Sequence, residues 1–210
     1  MAAQTVTAPS QSKGRDWVAF AGQFGALMVL ILISIFFSLR TDAFLTTNNL
    51  LNIMRQVSVY GILAIGMTFV ILTGGIDLSV GAVLALAGMI GAAVYKGGFA
   101  LTPAGESEGY GLIAAVTAAL LVGLVAGLLQ GGAVIGLKVP PFIATLGGFT
   151  AFRGLTLFLS SGTNITNLGD DYKWAGRGSI GIIPVLALIF IALAVVGWVV
   201  LRYTRYGRHV

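Results

Sequence analysis

Cysteine is absent from the 210 residues, histidine occurs once, at His209, and charged side chains make up only 9% of the chain. The first absence excludes disulfides, thiolate catalysis and cysteine zinc sites. A lone histidine at the penultimate position offers no metal-ligand set, and neither a metal nor another cofactor is expected. Soluble domains carry about 25% charged residues, so a chain this poor in charge cannot cover a water-facing surface. No G-x-x-x-x-G-K-[ST] occurs, and no lysine directly follows a glycine. The chain therefore has no phosphate-cradling loop of its own. Twelve Lys and Arg against seven acids give a net charge of +5. They are scattered between apolar runs, and only Arg202, Arg205 and Arg208 stand close together. Nucleic-acid binding needs a basic patch or stripe, so that class is set aside.

What remains is apolar. Hydrophobic residues make up 57%, and mean hydropathy is +0.97. The 30 glycines lie within long apolar runs, as in membrane helices that pack closely through small residues. A spanning helix needs about 20 mostly apolar residues. Runs at 18–39, 57–76, 78–95, 111–137, 142–159 and 180–201 qualify, the third and fifth being shortest. The expectation is an all-α, polytopic membrane helical bundle with six spans over residues 18–201. Residues 1–17 read as a cytoplasmic tail and 202–210 as a cytoplasmic extension. The apolar run after the tail exceeds the about 7–15 residues of a signal-peptide core.

Lys and Arg in the loops set orientation. With a cytoplasmic N-terminus, Lys13, Arg15, Lys138, Arg202, Arg205 and Arg208 lie inside. Arg40, Arg55, Lys96, Lys173 and Arg177 lie outside, with Asp42, Glu106, Glu108, Asp170 and Asp171. Six basic residues against five give this orientation a narrow margin.

Several segments carry candidate function. Thr73-Gly74-Gly75-Ile76-Asp77-Leu78-Ser79 joins two spans with almost no loop. Glycine admits backbone angles closed to other residues, and Asp77 or Ser79 can cap the next helix. The segment is either a tight turn at the membrane face or a helix break at membrane depth. Such breaks persist only where protein or water satisfies the backbone, and they mark transport pathways. Arg153, inside the fifth span, is a functional candidate by position, or else it snorkels to the interface. Ala115, Ala119, Gly123, Gly127 and Gly131 recur every four residues along one side of the fourth span. They form a packing ridge or a groove for substrate. Gly105-x-Ser107-x-Gly109 matches a nucleophile elbow in letters alone, because no strand-to-helix turn or histidine partner accompanies it. Asn164-Ile165-Thr166 matches a glycosylation sequon, a short and common pattern.

The block 46–56 with 61–68, and the continuation Phe69 to Gly81 with its Gly-Gly-Ile-Asp-Leu-Ser run, resemble the permease subunits of ribose/xylose-type ABC importers. Residues 139–147, Phe152-Arg153-Gly154-Leu155 and Arg202 to Arg208 resemble that family too, in order along nearly the whole chain. The resemblance implies a ten-span permease that is not itself an enzyme. It also implies a second permease copy, a cytoplasmic ATP-binding subunit and an extracytoplasmic sugar-binding protein. A further group of spans is expected beyond Val210, and the cell membrane is the expected location. Neutral polyhydroxylated sugars call for hydroxyls, amides and aromatics. The polar pathway candidates are therefore Thr68, Thr73, Thr145 and Asn164, joined by Gly74, Gly75 and Asp77 of the possible helix break and by Arg153 within its span. Arg205, Gly207 and Arg208 match the lead-in to the ATPase-coupling region. Arg40, Arg55, Lys96, Lys173 and Arg177 are candidates for docking the binding protein. An ion-coupled secondary transporter is the alternative, for which only Asp77 could serve as a buried acid.

Overall fold

The computed structural model describes residues 14–98 and 109–210, with side chains from residue 22 onward. Residues 1–13, Glu106, Glu108 and the Gly105-x-Ser107-x-Gly109 match lie outside, or partly outside, the described residues.

The described chain is helical apart from one small hairpin. In order it contains α1 (Gly14–Arg40), α2 (Thr47–Leu72), α3 (Val80–Lys96), α4 (Gly111–Ile135), α5 (Pro141–Leu159), α6 (Asp170–Arg177), β1 (Ser179–Ile180), β2 (Ile183–Pro184), α7 (Val185–Tyr203) and α8 (Arg205–His209). Five helices are long and apolar enough to cross a membrane: α1, α2, α4, α5 and α7. The third expected span is the 17-residue α3, about 25 Å long at 1.5 Å per residue. That falls short of a hydrocarbon core of about 30 Å.

The chain divides into two compact units, residues 1–52 and 53–210. In the first, α1 ends at Arg40 and a short turn leads into α2. There Thr46 accepts the amide of Asn49 at 3.4 Å, and the Asn49 side chain donates to the Phe44 carbonyl at 2.8 Å. These caps start α2 ten residues before the apolar run at 57. Hydropathy misses the polar first turns, which are nonetheless helical.

In the second unit α3 is the central element, packed against α4 and α5. Ala82, Leu86, Gly91, Ala92 and Ala93 are buried. Gly91 permits the closest approach, since a Cβ there would lie 3.1 Å from the Ala115 carbonyl oxygen and 3.4 Å from the Ala119 Cβ. The first part of the ridge, Ala115 and Ala119, is thus a packing seam. Nothing lies within 4 Å of a Cβ built at Gly123, Gly127 or Gly131. Helix α3 stops at Gly97, whose φ of 82° is the left-handed cap glycine supplies at little cost.

Two boundaries differ from the hydropathy reading for physical reasons. Span two ends at Leu72 rather than 76, because Gly74 takes φ 77° and turns the chain. Span six begins at Val185 rather than 180, because residues 179–184 form a hairpin with Ser179 opposite Pro184. Its two-residue loop needs the positive φ of 62° at Gly181. The loop before the hairpin contains α6, a short helix that its polar composition hid.

Candidate functional site: the polar break between α2 and α3

The α2–α3 junction is built from the end of α2 outward. The Gly75 amide reaches back to the Val70 carbonyl at 3.1 Å, and the Thr73 hydroxyl donates to the same carbonyl at 2.7 Å. The backbone then runs non-helically to Ser79. Asp77 Oδ1 accepts both the Ser79 amide and the Ser79 hydroxyl, each at 2.7 Å. This is an Asx turn. Ser79 occupies the N-cap position of α3, but its side chain makes no cap bond to the helix. Of the two capping expectations, then, Asp77 bonds the amide at the helix start and the Ser79 side chain turns away.

Ser79 turns to α4. Gln130 Nε2 donates to Ser79 Oγ at 2.7 Å, and Gln130 Oε1 lies 3.0 Å from the same oxygen. From α5, Thr145 Oγ1 lies 3.1 Å from the Ile76 carbonyl and 2.9 Å from the Pro141 carbonyl. Ser79 is fully buried and Thr145 is 6% exposed. Gln130 stands five residues before the end of α4, and Thr145 four residues after the start of α5. At 1.5 Å per residue these anchors lie about 6–8 Å inside the helix ends. The Ser79 end of the junction is buried against α4 and α5, whereas Thr73, Gly74, Ile76 and Leu78 are exposed.

Gln130 went unremarked in the sequence, although it and Thr117 are the only polar side chains of α4. A lone amide inside an uncharged helix was the available signal. Gly148 makes room for it: a Cβ there would meet Gln130 Nε2 at 2.8 Å.

The remaining pathway candidates are dispersed. Thr73, Gly74, Gly75, Asp77 and Thr145 belong to the junction. Thr68 is exposed one turn earlier, its hydroxyl spent on the Ala64 carbonyl at 2.7 Å. Arg153 is exposed two turns beyond Thr145 along α5. Asn164 is exposed past the far end of α5, so it does not join the break.

The docking candidates in the second unit gather at the opposite end of the helices. The Arg55 guanidinium donates to Ser179 Oγ at 3.3 Å, and Lys96 Nζ donates to the Thr166 carbonyl at 2.9 Å. Lys173 pairs with Asp170 at 3.1 Å, well exposed, and Arg177 ends α6. Tyr95 donates to Asp171 and packs against Tyr172, tying α6 to the end of α3. That hydrogen bond holds the Asp171 carboxyl below its ordinary range. Arg40, in the first unit, is the exposed last residue of α1. An apolar pocket between α4 and α6, lined by Leu112, Val116, Leu120 and Tyr172 among others, has few polar groups with which to orient a sugar. The coupling candidates Arg205, Gly207 and Arg208 lie in α8. There a Cβ at Gly207 would collide with the Leu201 carbonyl.

The chain is 40% identical over 189 residues to the ribose import permease protein of Bacillus subtilis, covering 89% of this chain and 54% of that protein. It is 35% identical over 202 residues to the D-allose transport system permease protein of Escherichia coli, covering 96% and 59%. It is 37% identical over 184 residues to the xylose transport system permease protein of Haemophilus influenzae, covering 87% and 46%. The chain thus spans about half the length of these relatives. No solved structure matches it. A family described as branched-chain amino acid transport system / permease component matches residues 49–210, so this multi-pass membrane chain belongs to that permease family.

Proposed function

We propose that the chain is the membrane-spanning permease part of an ATP-binding-cassette importer for a simple sugar such as ribose, xylose or a related monosaccharide. The observation that carries this reading is the 35–40% identity, across most of the chain, to permeases named for ribose, allose and xylose. The polar side chains of the junction, Ser79, Gln130, Thr145 and Thr73, are bonded to one another, to Asp77 or to backbone carbonyls, so they support the shape of the pathway and leave the sugar-contacting groups to be found by experiment.

The subunit is not a catalyst. Nucleotide is bound and hydrolysed by a separate cytoplasmic ATPase, for which α8 with Arg205 and Arg208 offers a basic contact. A sugar-binding protein docks at the end carrying α6, where Lys173 and Arg177 are exposed. A second permease copy completes the pathway in the cytoplasmic membrane, with the N-terminus cytoplasmic.

Reconstitution of the full-length permease with its ATPase and binding protein in nucleotide-loaded vesicles tests the reading. Uptake of labelled pentose that requires hydrolysis-competent ATPase is expected. Uptake that survives a hydrolysis-dead ATPase and collapses with a proton uncoupler would make the protein an ion-coupled transporter instead.

A further inference from the structure

The α2–α3 break carries local bonds of its own, from Gly75 and Thr73 to the Val70 carbonyl and from Ser79 to Asp77. Gly74 and Gly75 nonetheless have the loosest backbones of any residue type. Two partners come from elsewhere in the chain: Thr145, on the Ile76 carbonyl, and Gln130, on Ser79. Proton accounting separates their roles. The Ser79 hydroxyl has one proton to donate, and two acceptors stand in reach, Asp77 Oδ1 at 2.7 Å and Gln130 Oε1 at 3.0 Å. The charge-assisted bond is the stronger, so the proton goes to Asp77. Ser79 Oγ is then left as an acceptor, and Gln130 Nε2 fills it at 2.7 Å. The result is a directed chain from Gln130 through Ser79 to Asp77, ending on the residue that also bonds the Ser79 amide.

Resting on the permease reading, we propose that Gln130 is a positioning residue of the transport pathway. Reaching from α4, it holds the Gly74–Ser79 break in its non-helical form through Ser79, and Gly148 on α5 provides the space it occupies. Thr145 lies against the backbone of the break, its single hydroxyl proton shared between the Ile76 carbonyl and the Pro141 carbonyl of its own helix. Gln130 fixes the side-chain turn that starts α3. Both anchors sit on neighbouring helices, so the shape of the break depends on how α4 and α5 pack beside α3. The Gln130 side chain is neither charged nor aromatic, and a residue that merely filled space beside Gly148 would do as well with a thioether.

The test uses the complete importer in lipid nanodiscs and follows backbone hydrogen exchange over residues 73–83, with α7 as internal reference. Gln130→Met keeps side-chain length and removes the donor. It is expected to speed exchange at residues 75–83 by between about twofold and about tenfold, the range of one net hydrogen bond, with α7 unchanged. In a Ser79→Ala background the same substitution is expected to add nothing, because its partner is already gone. Gly148→Ala, which pushes a Cβ against the amide, is expected to reproduce the Gln130→Met pattern. If Gln130→Met does not assemble, Gln130→Asn, one methylene too short to reach, takes its place with the same expectation. Maximal uptake rate is expected to fall with the exchange change, leaving the concentration for half-maximal uptake nearly fixed. Unchanged exchange in Gln130→Met, or an equal increase with and without Ser79, overturns the proposal. Failure of the permease reading looks different: the wild-type complex moves no sugar, while the exchange comparison still decides the role of Gln130.

Discussion

The ring of Phe69, one turn before the break in α2, lies 6.0 Å from the ring of Tyr206 in α8, tilted by 31°. The basic segment at the end of the chain is therefore attached to the helix whose end turns into Gly74. Gly197 lets α7 approach the same stretch of α2, a Cβ there standing 3.4 Å from Ile65 and 3.7 Å from Phe69.

Tyr206→Ala is expected to lower the melting stability of the permease by about 0.5–1.5 kcal/mol, the worth of an aromatic pair beyond its area. Tyr206→Phe is expected to be neutral, because the stacking ring remains. Thermal unfolding of the two variants in detergent checks this. Equal loss in both would assign the effect to the hydroxyl rather than the ring.

Glycines on α2 divide into two kinds. A Cβ at Gly61 would lie 2.5–2.8 Å from three ring carbons of Phe190 on α7, whereas nothing stands within 4 Å of one at Gly66. Gly61→Ala is expected to cost about 1–3 kcal/mol by overpacking, recovered in part by Phe190→Leu. Gly66→Ala is expected to gain up to about 1 kcal/mol, since alanine favours helix over glycine by that amount. Paired unfolding measurements distinguish them, and a stabilised Gly61→Ala would place α7 elsewhere.

Much of this architecture was legible in the sequence, and the reasons it failed in places are local. Apolar runs located every long helix, because burial in lipid depends on composition over some twenty residues. The starts of α2 and α7 were missed because polar caps and a hairpin obey hydrogen bonding instead of hydropathy. At the junction, Asp77 and the two glycines were visible as turn chemistry. Gln130 and Thr145 meet the break only through folding, 51 and 69 residues away along the chain. The resemblance that covered Thr145 said nothing of its partner. Asn164 looked suitable by chemistry and proved distant, since residue type carries no information about which end of a helix it occupies.

The tie between Tyr95 and Asp171 gives a pH dependence outside the membrane. The Tyr95 hydroxyl depresses the Asp171 carboxyl, so the contact stabilises the folded form above the ordinary carboxylate range, near pH 3.9. It is lost only as pH falls below that range through the depressed value. Trp174 fluorescence, reporting on α6, is expected to stay constant from neutral pH down to that range and to change beneath it. Tyr95→Phe is expected to move the change upward in pH. A transition unaffected by Tyr95→Phe would detach Asp171 from this tie.

Asp77 separates geometry from charge. Its Oδ1 accepts two bonds, from the Ser79 amide and the Ser79 hydroxyl, and an asparagine carbonyl accepts both in the same place. The one salt bridge among the described residues joins Lys173 to Asp170, so the Asp77 carboxylate faces neutral donors and no cation. Asp77→Asn is expected to cost under about 1 kcal/mol, the difference between a charge-assisted and a neutral hydrogen bond. Asp77→Ala leaves the Ser79 amide without its acceptor at a fully buried position, at an expected cost of about 1–3 kcal/mol. Uptake should follow stability: retained in the asparagine variant and lost in the alanine one. Measured side by side, thermal unfolding and sugar uptake decide the matter. An asparagine variant that folds normally but carries no sugar would show that the negative charge itself takes part in transport, and that the Asx turn alone does not account for Asp77.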